Sequence, residues 1–460
     1  MTARPPGTGV VRGPVDPYVP TRGNRGYMVT RYELDLDYRV ATNRLAGRAR
    51  VLLTATQDLE HLGLDLTGLR VGDVRVDGRR PRAHAHRRGK LTITLGERLR
   101  AGASAVVDID YTGTPRPAPG PWGDVGWEEL TDGVIVAGQP DGASTWFPCN
   151  DHPSDKATLS LRLATDPGYT VVGNGALVGR TTRAGRVVWA FEQAEPMATY
   201  LATVQVGRYT VLETAAGPVP QHAVVPARLR TAVLHDLGRQ ADMMALFVRL
   251  FGPYPFDEYQ VVVTDDALEM PLEAQGMSVF GANHVDGRRG AERLVAHELA
   301  HQWFGNSLTV ASWQHIWLHE GFACYAEWLW SEGSGGPAAH TLATQAWDRL
   351  ARQPQDLRIG DPGPQRMFDD RVYKRGALTV HAVRLALGDV AFFDMLRTWT
   401  RTHAYGNVTT EDFVDCVRRH TDVPVDALFD AWLGGTRLPR LVRTPDATPA
   451  GGSSGSGQRA

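Results

Sequence analysis

The sequence has few cysteines, no long apolar run and almost no charge imbalance, and each lack removes a class of function. Cys149, Cys324 and Cys416 are the only cysteines in 460 residues. They are far apart and odd in number, which excludes a disulfide framework and a cysteine-rich metal cluster, and they read as reduced packing residues. No stretch approaches the roughly 20 apolar residues of a membrane-spanning helix. The opening MTARPPGTGVVRGPVDPYVP has Pro and Gly where a secretory peptide needs an uninterrupted apolar segment. A cytoplasmic protein with no membrane partner is expected. Lys+Arg number 49 against 51 Asp+Glu, a formal charge of −2, so no electrostatic argument calls for nucleic acid. The one basic cluster, Arg79, Arg80, Arg82, His84, His86, Arg87 and Arg88, is expected to be a solvated loop.

At this length two or three domains are expected, with enough apolar surface to hold a rigid site. From Arg31 onward short segments alternate apolar and polar residues, among them YELDLDYRV, KLTITLGE, SAVVDIDYTG and ATLSLRLAT. That is the period of half-buried strands. Roughly ten strands before Glu213 with no helical pattern between them predict an all-β domain over 17–213. The period then changes: Leu234, Leu237, Ala241, Met244, Val248 and Phe251 recur at three and four, which predicts one helix ended by Gly252-Pro253. A buried strand follows at 260–264, and helices are expected over 291–306, 312–331, 338–353, 373–387, 390–403, 410–420 and 424–434. Residues 214–442 therefore read as an α+β, mostly helical domain. Residues 1–16 and 443–460, rich in Pro, Gly and Ser, are expected to be disordered.

The chemistry concentrates in AERLVAHELAHQWFGN at 291–306, which contains an H-E-x-x-H string. His297 and His301 stand at i and i+4, one turn apart on one helical face, where two imidazoles can grip one ion. Glu298 projects beside them and can reach a water on that ion without being a ligand. Glu320, nineteen residues after His301 on the next predicted helix, supplies a third ligand. Two His and one Glu leave a fourth position open, as a catalytic zinc requires. Glu327, seven residues further along the same helix face, is suited to accept a hydrogen bond from a ligating imidazole.

HELAHQWFGN followed at this spacing by WLHEGFACYAE resembles the M1 family of zinc aminopeptidases. GQPDGASTWFPCNDHPSDKATLSL, PMATYLATVQVGRY, VYKRGALTV and VDALFDAWLGGTRLPRL resemble further signatures of that family, and the likeness covers nearly the whole chain between its two ends. The resemblance implies a saddle-like all-β domain followed by a thermolysin-like catalytic domain. It implies one Zn2+ per chain, held by His297, His301 and Glu320, with Glu298 as general base and acid. It also implies peptide substrates with a free N-terminus and no nucleic-acid or membrane partner. Larger members add a β-sandwich and a helical domain that caps the cleft; the resemblance ends before these, and a more open cleft is expected.

By the same resemblance Tyr373 stabilises the oxyanion, and Glu273 with Gln139 binds the substrate α-amine. Asp141 is a neighbour able to share that task. Two departures stand out. Met270-Pro271-Leu272-Glu273-Ala274 keeps the glutamate of the family's Gly-x-Met-Glu-Asn motif but neither its glycine nor its asparagine, and His319 precedes the ligand glutamate where asparagine is usual. An endopeptidase of the thermolysin type would share the zinc geometry but need no amine anchor. A catalytically silent peptide-binding protein would have lost a ligand or the base, and all are present. An epoxide hydrolase of the family would carry an aspartate at position 365, which is Gln365, with Asp369 and Asp370 closer to Tyr373.

Overall fold

The structure is a computed structural model that describes residues 15–214 and 217–441. Most of the two ends expected to be disordered lies outside the described residues. Asp16 corrects that expectation at its own position. It is 2% exposed, and its carboxylate accepts the backbone N–H groups of Tyr18 and Trp313 at 2.8 and 2.7 Å.

Alternation builds the first domain. The strand Tyr27–Arg39 buries Val29, Tyr32, Leu34, Leu36 and Tyr38, and a bulge between Val29 and Arg31 accounts for the one change of phase. It lies in a seven-stranded sheet in the order Ala176–Arg183, Arg186–Ala198, Lys156–Thr165, Tyr27–Arg39, Arg44–Ala55, Ser104–Gly113 and Arg70–Val76. A five-stranded sheet includes Gly123–Leu130 and Gly133–Ala137, and a three-stranded sheet joins Leu59–Asp65, Lys90–Leu99 and Ala83–Arg87. That last strand corrects the solvated loop expected at the basic cluster. Ala83–Arg87 pairs with Lys90–Leu99, and its side chains remain mostly exposed, which hides the strand from a reading based on burial.

Tyr209–Glu213, within the range expected for the β domain, pairs instead with Gln221–Pro226. It opens a second five-stranded sheet with Tyr259–Val263, Met277–Phe280 and Leu272–Ala274. This sheet meets the β domain across an apolar join in which Ile135 and Val172 pack with Val224, Val262, Met277 and Val279.

The helix expected before it is two, α1 (Arg230–Asp236) and α2 (Gln240–Phe251). The break follows from Asp236, which accepts the backbone N–H groups of Asp286, Gly287 and Arg289 at 2.9–3.0 Å and stops the first helix there. The interruption shifts the phase. Met243, Met244, Phe247 and Phe251 are buried, and Leu234 from the expected stripe is 41% exposed.

The remaining helices are α3 (Glu292–His301), α4 (Trp317–Gly333), α5 (Ala339–Leu350), α6 (Asp370–Leu387), α7 (Asp389–Thr402), α8 (Thr410–Arg418) and α9 (Asp426–Phe429). The last continues as a π-helical turn, Asp430–Gly434, whose freed carbonyls are met by the Arg375 guanidinium. Helices α4 and α6 cross at glycines: a Cβ on Gly321 would stand 2.8 Å from the backbone of Gly376. No larger residue fits on either side. Among the described residues no helix is long and apolar enough to cross a membrane.

Candidate active site

A cavity of about 1720 Å³ runs between the β domain and the helices. His297, Glu298, His301, Glu320, Tyr373 and Glu273 line it, together with Gln139 from the opposite wall. The glycine crossing explains half of this convergence, since it brings α4, carrying Glu320, against α6, carrying Tyr373.

His297 and His301 end α3 one turn apart, with ring centroids 4.8 Å from each other. Each ring has one nitrogen already engaged. His297 Nδ1 is 2.8 Å from Glu327 Oε1, and His301 Nδ1 is 3.0 Å from the Phe304 carbonyl. With Nδ1 donating in each pair, both Nε2 atoms present lone pairs to the same point. Glu320 Oε2 lies 3.5 Å from each of them. That is long for a charged hydrogen bond. It is close to the roughly 3.3 Å that separates ligand atoms placed about 2.0–2.1 Å from one tetrahedral ion. The three ligand atoms lie within 4.8 Å of one another and all three residues are buried. The site therefore fits zinc in donor type, spacing and outer support.

Electrostatics point the same way. Burial alone would lower the histidines, but Glu320 and Glu327 hold His297 up at about 9, and Glu273 and Glu320 hold His301 up at about 10. Burial opposes charge on Glu320 too, and the two histidines outweigh it and hold its carboxyl well below the usual range. The carboxylates thus favour positive charge in this space, carried by protons on the imidazoles or, in their place, by an ion that the neutral Nε2 atoms would hold.

Glu298 is 4% exposed, and its Oε2 has no hydrogen-bond partner. Burial pushes its carboxyl up to about 7. Such an atom is costly unless a ligand or solvent molecule meets it. Glu298, Glu273 and His301 bring ligand-type atoms within 4.8 Å of each other, so the Glu298 carboxylate borders the same space as the metal ligands.

The Tyr373 ring stacks on His297 at 6.1 Å and 17°. Its phenol makes no hydrogen bond among the described residues, and burial with the nearby charges of Glu320, Glu273 and Glu298 holds its pKa well above the usual value. It stays a donor. Gln139 donates from Nε2 to Glu273 Oε1 at 2.7 Å, which joins the two walls of the cavity. Asp141 is not with them. It pairs with Arg22 at 3.0 Å and holds the turn after Gln139.

Glu327 lies where its spacing placed it, and Arg293 also donates to both its oxygens at 3.0 Å. His319 accepts the Val310 N–H at 2.9 Å through Nε2, and burial drives its pKa down to about 3, so it stands neutral beside Glu320. Spacing gave no hint of Arg293, of Lys374 on the cavity wall, or of Gln302 and Asn306. The last two donate to the Ala274 carbonyl at 3.1 and 2.9 Å and pin the strand that carries Glu273 to the end of α3. Their only signal was position, inside the segment that already held both histidines.

Comparison with known proteins agrees with this layout. Residues 236–432 match the Peptidase family M1 domain, and 29–201 match the Peptidase M1 N-terminal domain. The M1 zinc metallopeptidase of Deinococcus radiodurans is 31% identical, with a TM-score of 0.85 over 93% of this chain and 98% of that one. A form of it bound to a Tyr-Ser-Ala substrate is 30% identical, with a TM-score of 0.84 over 92% and 97% of the two chains. The leucyl aminopeptidase of Saccharolobus solfataricus is 22% identical over 90% of this chain, which spans 54% of that protein's length.

Proposed function

The chain belongs to the peptidase M1 family, and on that basis we propose that it is a zinc-dependent aminopeptidase removing the N-terminal residue from peptides. One observation carries the reading. The amine-binding pair, Glu273 with Gln139, stands in the same cavity as His297, His301 and Glu320, so a substrate held by its first nitrogen presents its first peptide bond to the ligand cluster. The similar metallopeptidase of known structure that binds Tyr-Ser-Ala gives this support from outside the chain.

His297, His301 and Glu320 would hold one zinc ion, which supplies a water acidified toward neutral pH and an electrophile for a peptide carbonyl. Glu298, with one oxygen unpaired, takes the proton of the attacking water and passes it to the departing amine. Tyr373 donates its phenolic hydrogen to the carbonyl oxygen as negative charge grows there, an interaction stronger in the transition state than in the substrate. Glu273 neutralises the α-ammonium, and Gln139 fixes the orientation of that carboxylate. Glu327 keeps the His297 ring turned with Nε2 toward the ion.

The test is metal removal with product analysis. Chelation abolishes hydrolysis, zinc restores it, and the first product released from a peptide ladder is its N-terminal residue. Undiminished cleavage by a preparation shown metal-free by elemental analysis refutes the proposal. A thermolysin-type endopeptidase remains the alternative on the same ligand set, and internal cleavage products would identify it.

A further inference from the structure

We infer that Tyr200 and Lys156, both supplied by the β domain, are positioning residues for His301, an inference that rests on the zinc reading above. His301 is the last residue of α3, and its ring is oriented by the Phe304 carbonyl at 3.0 Å. Where that carbonyl sits is a property of the turn at 304–308. The turn leaves no room for a side chain beside the ring: Gly305 has φ 131°, and an added Cβ there would stand 3.2 Å from His301 Nδ1. The link from turn to ligand is the Phe304 carbonyl, which moves with the turn.

The next three carbonyls of the turn are held from outside the catalytic domain. Tyr200 Oη donates to the Gly305 carbonyl at 3.0 Å, and Lys156 Nζ donates to the Asn306 and Ser307 carbonyls at 2.9 Å each. Lys156 also reaches the Gly406 carbonyl at 3.4 Å. Its hydrogen-bond partners are all carbonyl oxygens, burial lowers its pKa to about 7, and its N–H donors sit just past the C-terminal end of α3, where carbonyls call for donors. Tyr200 is 3% exposed, and burial together with the charges of Glu273 and Glu320 keeps its phenol protonated and donating. Thr309, within the catalytic domain, adds a bond to Gly305 at 2.7 Å. Thus the turn that aims one metal ligand is fixed from the far side by two β-domain side chains. The β domain serves the metal as well as the substrate.

Partners that orient a ligating imidazole typically change metal affinity by roughly 10- to 100-fold when removed. Acting one layer further out, Tyr200→Phe and Lys156→Met are each expected to weaken zinc binding about tenfold, with Lys156→Arg restoring most of the loss. The measurements, on the full chain, are the zinc dissociation constant by chelator competition, the Tm of metal-free and zinc-loaded protein, and the ligand-field bands of the cobalt-substituted protein. The inference expects a weaker constant, a smaller zinc-induced rise in Tm and altered cobalt bands. It is overturned if both Tm values fall equally while the zinc constant and the cobalt bands stay as in the wild type, the signature of residues that only pack two domains together. Should Lys156→Met fail to fold, Tyr200→Phe, which removes a single oxygen, decides the matter. A wild-type chain that takes up no zinc at all would refute the functional reading itself.

Discussion

The two walls of the cavity are held in position by different means. On the helical wall, His297, His301, Glu320 and Glu327 fall within 31 residues, and their placement follows from the turn of α3, the turn of α4 and the contact between those helices. On the strand wall, Glu273 sits on a three-residue edge strand, Leu272–Ala274, and Gln139 in the turn after Gly133–Ala137. Neither is fixed by its own element. Arg22, Asn174, Gln302 and Asn306 reach in from distant parts of the chain to hold the turn or the segment beside Glu273. Regular structure places the groups proposed for the chemistry and side-chain bonds only orient them, whereas scattered side-chain bonds place the groups proposed for recognition.

If that contrast is right, substitutions on the helical wall act on metal and turnover, and those on the strand wall act on choice of substrate. The largest effect is expected at Glu320→Ala, which loses zinc and with it all activity. Glu298→Gln should keep zinc, by elemental analysis, and lose roughly 100- to 10,000-fold in kcat. If the Glu298 variant were metal-free and the Glu320 variant fully loaded, the two roles would have to be exchanged. Tyr373→Phe is expected to cost about 2.7–4 kcal/mol of transition-state stabilisation, read as a fall in kcat with little change in KM. An unaltered kcat would remove Tyr373 from the reaction.

Effects on the other wall should be smaller and differ in kind. Glu273→Ala is expected to lower kcat/KM on free-amine peptides by a factor equivalent to about 2–4 kcal/mol, since it leaves the substrate cation without a carboxylate partner in the cavity. Zinc content should not change. Gln139→Ala should cost less, about 1 kcal/mol, the usual worth of one hydrogen bond that only orients a partner. A Gln139 variant impaired more than the Glu273 variant would reverse the order of importance on this wall and give the amine to the amide.

The same contrast decides what was legible in the sequence. Helical spacing alone placed His297 and His301, with Glu298 beside them, because i and i+4 positions share a face wherever the helix lies. Glu320 and Glu327 needed one assumption, that the next helix turns back, and α4 does pack against α3. Most of the β domain was legible from alternation; Ala83–Arg87 was not, because an exposed strand has no apolar face to announce it. The break between α1 and α2 was invisible for a related cause, a buried carboxylate gathering backbone donors from fifty residues away. Glu273 and Gln139 were found only by resemblance to a family, and Tyr200 and Lys156 were not singled out at all. Their partners are backbone carbonyls, which leave no mark in the pattern of side chains.

The claim on which the account depends is that the substrate is recognised by its free amine. The direct measurement is kcat/KM of the zinc-loaded protein on one peptide and on the same peptide acetylated at its N-terminus, with the products identified. The account predicts a ratio on the order of a hundredfold or more, because acetylation removes the cation and leaves the partly buried Glu273 carboxylate without its counter-charge. It also predicts that only the first bond is cut. Equal rates on the two peptides, with internal bonds cleaved in both, would contradict it and leave an endopeptidase on the same metal site.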